Sequence, residues 1–246
     1  MGMDVRSART VLWLAVAVVL ATAACASGRP NDFGDDDDDP DANRTLVDAG
    51  AVDGPSLPVD GPPPSTDAPA GNAVTLSQSS SMTVMPATSV ACSTGENSYY
   101  RVFPLADHGV TSALAVDRVD FGVQDAVGVI GSSQQVQVKL HTLSGALAVA
   151  NLTPIRTTAV TVANAASGTV VQVPISPPAT IAAGSTMVVE VLAAGGGNQF
   201  ILGANTSPET QPGYLRGPSC GSAAPVTFAS ISFPSTHIVV TASGTY

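Results

Sequence analysis

Aromatic and charged side chains are scarce in this chain. Phe, Trp and Tyr make up 4% of its 246 residues, and the single tryptophan, Trp13, sits in an apolar run near the N-terminus. Past that run no tryptophan remains to build the flat platform on which many glycan-binding modules stack sugars. Tyr99, Tyr100 and Tyr214 are the candidate ligand contacts of that kind. Lys and Arg together number nine against 19 acids. With no basic patch to neutralise phosphates, nucleic acid is not expected as a partner. Only three histidines occur, His108, His141 and His237. There is no His-Glu-x-x-His motif, and the chain is read as having no Gly-x-Ser-x-Gly nucleophile elbow. The histidines are expected at the surface or at strand ends, and no enzyme activity is expected.

The acidity that is present is local. Residues 26–73 hold eleven Asp against Arg29 and Arg44, whereas residues 74–246 hold seven acids against five bases. The excess negative charge therefore belongs to one segment, and the rest is nearly neutral.

The N-terminus has the build of an export signal. Arg6 and Arg9 precede the run from Thr10 to Ala24, which is almost wholly apolar. A charged n-region before a short apolar h-region is a secretory leader. As a helix this run spans only ~22 Å, short of the ~30 Å hydrocarbon core, so a cleaved signal is expected rather than a permanent span. The run ends in Thr22-Ala23-Ala24-Cys25. This resembles a bacterial lipobox, in which small residues precede a Cys that is acylated and becomes the mature N-terminus. Thr22 departs from the pattern, which usually has a larger aliphatic there; cleavage after Ala23 is the alternative. The resemblance implies lipidation of Cys25 and a membrane held through it, since each buried methylene adds ~0.8 kcal/mol. Ala26, where retention at the inner membrane would favour Asp, implies the outer membrane by similarity to sorting in enteric bacteria.

If Cys25 carries lipid, two of the three cysteines are left, Cys92 and Cys220. In an oxidising compartment they are expected to pair. The chain-entropy model gives roughly 4–5 kcal/mol for a bridge closing so long a loop. Buried free thiols are the alternative; two isolated Cys lack the spacing of a zinc site.

Residues 25–73 are read as the lipidated Cys and a disordered tether. Asp35–Asp39 is an unbroken acidic run, and segments such as Asp60-Gly-Pro-Pro-Pro64 follow. Too few apolar residues are present to offset the entropy of ordering, and Pro and like charges keep such a chain extended. The Asp run lacks the Gly turn and distal Glu of an EF-hand loop and is expected to be a solvated spacer.

From residue 74 the hydrophobic pattern changes to period 2. Strands are predicted at 74–78, 81–85, 98–105, 113–123, 135–142, 155–162, 169–175, 185–192, 199–204, 226–232 and 236–242. Gly and Pro clusters separate them, Pro177-Pro178 among them. Val119, Phe121 and Val123 share one face, with Arg118, Asp120 and Gly122 on the other. Val136, Val138 and Leu140 likewise oppose Gln135, Gln137, Lys139 and His141. Tyr99 and Tyr100, being adjacent, must face opposite ways; one is expected outward and the other in the core with Phe103, Phe121 and Phe200. One wet and one dry face per strand predicts an all-β fold, an antiparallel two-sheet sandwich of jelly-roll or Ig-like type.

The runs Asn97-Ser-Tyr-Tyr-Arg-Val-Phe-Pro-Leu, Val119-Asp-Phe-Gly-Val, Gln135-Val-Gln-Val-Lys-Leu, Ile181-Ala-Ala-Gly-Ser-Thr-Met-Val-Val-Glu-Val, Gly213-Tyr-Leu and Cys220 follow one another in an order similar to that of β-sandwich accessory modules in large secreted bacterial proteins. The resemblance implies a non-catalytic surface module and supplies no ligand residues. Glu96, Asp107, Asp117, Asp120 and Asp125 fall in neighbouring elements and are candidate oxygen ligands for a structural Ca²⁺. The expected function is a lipid-anchored display module, structural, adhesive or partner-binding. A carbohydrate-binding module is the first alternative, marked by an exposed tyrosine-lined groove. A hydrolase is the second, marked by a buried polar cluster around a His.

Overall fold

The structure, a computed structural model, describes residues 71–93, 95–128 and 131–246. The expected leader, Cys25 and nearly all of the tether lie outside these residues. The strands are β1 (Ala73–Leu76), β2 (Asn97–Pro104), β3 (Leu114–Val127), β4 (Ser133–Leu143), β5 (Leu152–Ala163), β6 (Thr169–Ile181), β7 (Thr186–Ala193), β8 (Gln199–Leu202), β9 (Ala204–Asn205), β10 (Tyr214–Gly217), β11 (Ser222–Thr227), β12 (His237–Ile238) and β13 (Val240–Thr245). Helical turns among the described residues are short and of the 3-10 type.

The pairing is nested and antiparallel. The hairpin β4–β5 is innermost; β3 pairs β6 outside it, β2 pairs β7 outside that, and β1 pairs β13 outermost. Successive nested pairs alternate between sheets. One sheet runs β1-β13-β3-β6, with β8 also on β3; the other runs β11-β10-β2-β7-β4-β5. Such a nested ribbon, folded across two sheets, is the jelly roll of the two architectures expected from the sequence. Strands β8 to β12 are inserted between its last two core strands.

The period-2 pattern sorts the faces as expected. Val119, Phe121, Val123, Val136, Val138 and Leu140 are all buried in the core between the sheets. Phe200 joins the sheets, with its ring centroid 6.5 Å from that of Tyr99 and 6.2 Å from that of Phe121. Cys92, shortly before β2, is disulfide-bonded to Cys220 in the turn between β10 and β11, with Cα atoms 5.8 Å apart. The bridge fastens the β10–β11 hairpin to the segment entering β2.

The insertion leaves through a three-strand junction. Gly122 N–H donates to Val239 O, Val239 N–H to Gly203 O, and Gly203 N–H to Gly122 O, at 2.8–2.9 Å. The β3 edge thereby changes partner, from β13 on one side of the junction to β8 on the other. Two glycines are needed for so close an approach: a Cβ on Gly203 would lie 2.7 Å from the Gly122 backbone.

Three strand expectations need correction. Residues 81–85 form no strand; the Asn205 side chain donates to Ser81 O and Thr83 O, so an amide takes the place of a ladder. Strand β6 continues to Ile181, through Pro177-Pro178. It lies at the sheet edge, where residues 175–178 bulge out between Pro174 and Ala179, so the missing N–H groups are not needed. Residues 228–232 turn rather than extend, while β10, short and glycine-bounded, falls where no strand was predicted.

Candidate functional site

A polar groove of about 390 Å³ lies on the outer face of the six-stranded sheet. Strand register builds it. Tyr214 on β10 is opposite Tyr100 on β2, Tyr100 is opposite Glu190 on β7, and Glu190 is opposite Lys139 on β4. One row of side chains thus crosses four strands. Ser98, Tyr100 and Glu190 are buried and form the floor. Lys139 and His141 stand on one side, Glu96 and Arg216 on the other. Val149, Leu152, Pro154 and Leu192 supply apolar wall. A hollow of similar size, about 400 Å³ between the loops near Val90 and Phe233, has no charged side chain in its wall.

Glu190 is the centre of the polar network. His141 Nε2 lies 2.9 Å from Glu190 Oε2, Tyr100 Oη donates to Glu190 Oε1 at 3.4 Å, and Lys139 Nζ is 4.0 Å from the same oxygen. Burial pushes the Glu190 carboxyl up. The hydrogen bond from His141, the nearby Ser98 hydroxyl and the charges of Lys139 and His141 together outweigh burial and hold it below the usual carboxylate range. An ionised carboxylate only accepts, so His141 Nε2 carries the proton it shares. Burial, reinforced by the Glu190 charge, pushes the Tyr100 phenol up to about 12, so it remains a donor. Across the groove Arg216 Nη1 meets Glu96 Oε1 at 2.5 Å, and its Nε donates to Ala223 O.

Part of this network is unfinished. Among the described residues His141 Nδ1 is buried with no hydrogen-bond partner, whereas the Ser98 hydroxyl is engaged with Glu190 and Tyr100. Lys139 has no acceptor within hydrogen-bonding distance of its own beyond the 4.0 Å approach to Glu190.

The expected site residues fare unevenly. Tyr99 faces the core and donates to Val90 O, which rules it out as a ligand contact. Tyr100 is on the outer face as alternation requires, but it is 2% exposed, because its neighbours close over it. Tyr214 is half-buried beside it. The three tyrosines therefore build no stacking platform. The five acids proposed for Ca²⁺ are not brought together: Glu96 pairs with Arg216, Asp120 with Arg118, and Asp125 accepts from Gln199. Among the described residues no three His, Cys, Asp or Glu side chains are grouped as metal ligands.

His141 corrects the expectation of surface histidines. It stands on the polar face but is 7% exposed, because β7 brings Glu190 over it. A buried polar cluster around a histidine is the mark set for a hydrolase, and His141 with Glu190 supplies half of one. The nucleophile is not supplied. His141 Nε2 and the Ser98 hydroxyl are both turned to the Glu190 carboxylate, and no hydrogen bond joins the serine to the histidine. One spacing passed over in the sequence is Gly217-Pro-Ser-Cys-Gly221, which does match Gly-x-Ser-x-Gly. Here it joins two strands through a 3-10 turn, not a strand to a helix, and Ser219 Oγ lies 3.1 Å from the disulfide sulfur of Cys92.

No protein-family model matches the chain, and no curated protein is significantly similar to it. Its function must be read from the groove.

Sequence reasoning also missed Arg101. Alternation places it between Tyr99 and Phe103 on the inner face, and it is 0% exposed. Its guanidinium donates to Ile238 O and Gln211 O at 2.6–2.7 Å and pairs with Glu209 Oε2 at 2.7 Å. The signal was present: a lone charge at an inward position of an otherwise apolar strand face.

Proposed function

We propose that this chain is an exported, lipid-anchored cell-envelope protein. It is non-enzymatic, and its jelly-roll domain presents the outer face of the six-stranded sheet to a binding partner. The observation that carries this reading is the unfinished polar groove. Polar groups in a folded domain are ordinarily paired, so an uncommitted His141 Nδ1 and a loosely held Lys139 ammonium in a concave, charged surface leave places for a partner to complete the set. The anchor rests on the sequence ending in Cys25, and the long acidic segment after it gives the domain reach from the membrane.

Purified full-length protein, tested for retention on whole cells and isolated envelopes, is the test. Wild type is expected to be retained, and the double variant Lys139→Glu, Arg216→Glu to be released. Equal retention of the two would take the groove out of the reading. Cys25→Ser is expected to move the protein from the membrane fraction to the soluble one; unchanged partitioning would remove the anchor.

A further inference from the structure

We propose that the outer-face groove binds a neutral, polyhydroxylated ligand, a short stretch of glycan, held by hydrogen bonds rather than by aromatic stacking. The proposal rests on the reading of this groove as the binding face and names what occupies it.

The chemistry of the wall selects the class. Lys139 and Arg216 offer N–H donors on opposite sides, while Glu190 in the floor, its Oε2 held by His141 at 2.9 Å, offers an acceptor in Oε1, which Tyr100 and Lys139 approach only at 3.4 and 4.0 Å. His141 Nδ1 adds unused polar capacity beside that floor. An anion accepts only and would be brought against the Glu190 carboxylate. A cation donates only and would meet Lys139 and Arg216. A hydroxyl does both, and a ligand carrying several can satisfy the two kinds of partner at once. Lys139 and Arg216 stand against Glu190 and Glu96 in the lining, so charges of both signs face the groove.

Geometry favours a glycan over a peptide. Extended peptides usually bind a sheet by adding a strand to a free edge. The floor of this groove lies over β10, β2, β7 and β4, each of which is paired on both sides; only the wall reaches the edge strand β5, at Leu152 and Pro154, where a proline has no N–H to give. The floor offers no backbone edge, and recognition there must come from side chains. Val149, 51% exposed, gives the wall a carbon surface suited to the C–H face of a sugar ring. The volume, about 390 Å³, falls within the ~300–1,000 Å³ of small-ligand sites.

The test is calorimetric titration of the full-length protein with cellulose-, chitin-, mannan- and xylan-derived oligosaccharides, with polygalacturonate and a random peptide mixture alongside. Saturable binding to a neutral class is expected. Lys139→Ala and Val149→Asp, both at exposed or half-buried positions, should each weaken it about tenfold or more, which is ~1.4 kcal/mol. Arg118→Ala, on the opposite sheet, should leave it unchanged. The proposal is overturned if no neutral oligosaccharide binds at millimolar concentration. It is overturned equally if only polygalacturonate or peptide binds, or if binding survives both groove variants. These failures are distinct from that of the display reading. Release of the Lys139→Glu, Arg216→Glu variant from cells, with no saccharide bound, would refute the glycan and keep the groove.

Discussion

Tyr100 and Arg101 are consecutive on β2 and open onto two buried polar clusters of different character. On the inner face, Arg101 meets two carbonyl oxygens and a carboxylate, all near 2.7 Å, and ties residues 209–238 of the insertion to the core sheet. On the outer face, Tyr100 joins Glu190, His141 and Lys139, where contacts run from 2.9 to 4.0 Å. A cluster of short contacts about one guanidinium holds a fold together; a looser one, with its ammonium 4.0 Å from the nearest carboxylate oxygen, keeps capacity for something else. If that contrast is sound, the inner cluster should govern stability and the outer one binding.

The largest effect should come from Arg101→Ala. It leaves Ile238 O, Gln211 O and Glu209 in the interior without their donor. Breaking a buried pair in this way costs about 3–5 kcal/mol. For a domain of this size that is a fall of roughly 10 °C in melting temperature. A loss below about 1 kcal/mol by denaturant titration would mean that the insertion is held by other contacts, and the contrast would lose its inner half.

Glu190→Gln should cost less at neutral pH, about 1.5–3 kcal/mol, the range for a hydrogen bond to a charged group. It also separates the clusters by pH. The Glu190 carboxyl is held below its ordinary value of 4.5 in the fold. Its contribution is therefore present above that value and is lost as pH falls through the folded value. Wild type should lose stability more steeply than Glu190→Gln on acidification from neutrality to below pH 4.5. Parallel curves would show that the carboxylate charge is not what His141 and Lys139 stabilise.

Gly203→Ala tests the junction beside Ile238. A Cβ there meets the Gly122 backbone at 2.7 Å, and overpacking of this kind typically costs about 1–3 kcal/mol. An unchanged melting temperature would show that the three strands can separate without loss, leaving Arg101, the disulfide and the β10–β2 pairing to anchor the insertion.

Why was one cluster more legible in the sequence than the other? Alternation is local, so it reads faces well: it placed Phe121 and Val138 inward, Lys139 and His141 on the polar side, and Tyr99 and Tyr100 on opposite faces. It does not say which strand lies alongside. Burial of His141 depends on β7, whose Glu190 is 49 residues away in the chain. The meeting of Arg101 with Ile238 spans 137 residues and requires the insertion. Register likewise decides that Tyr100 is covered, and that Glu96, Asp120 and Asp125 find separate partners. The disulfide was legible because only two cysteines remained once Cys25 was assigned to lipid. The jelly roll was legible only as one of two sandwiches, since nesting order is a property of pairing and not of pattern.

Lys139→Ala should have the smallest effect on stability and for that reason bears most directly on the contrast. Its ammonium approaches Glu190 Oε1 at 4.0 Å, beyond hydrogen-bond distance, from a partly exposed position. Pairs of that kind contribute about 0–1 kcal/mol, and salt screens them further. The melting temperature should therefore stay within a degree or two of wild type. A lysine that stands in a buried-floored groove without supporting the fold is a lysine available to a ligand. A fall of several degrees, abolished by added salt, would instead make the ammonium a structural counter-charge to Glu190. The outer cluster would then be as firmly held as the inner one, and the groove would lose its claim to be a binding site.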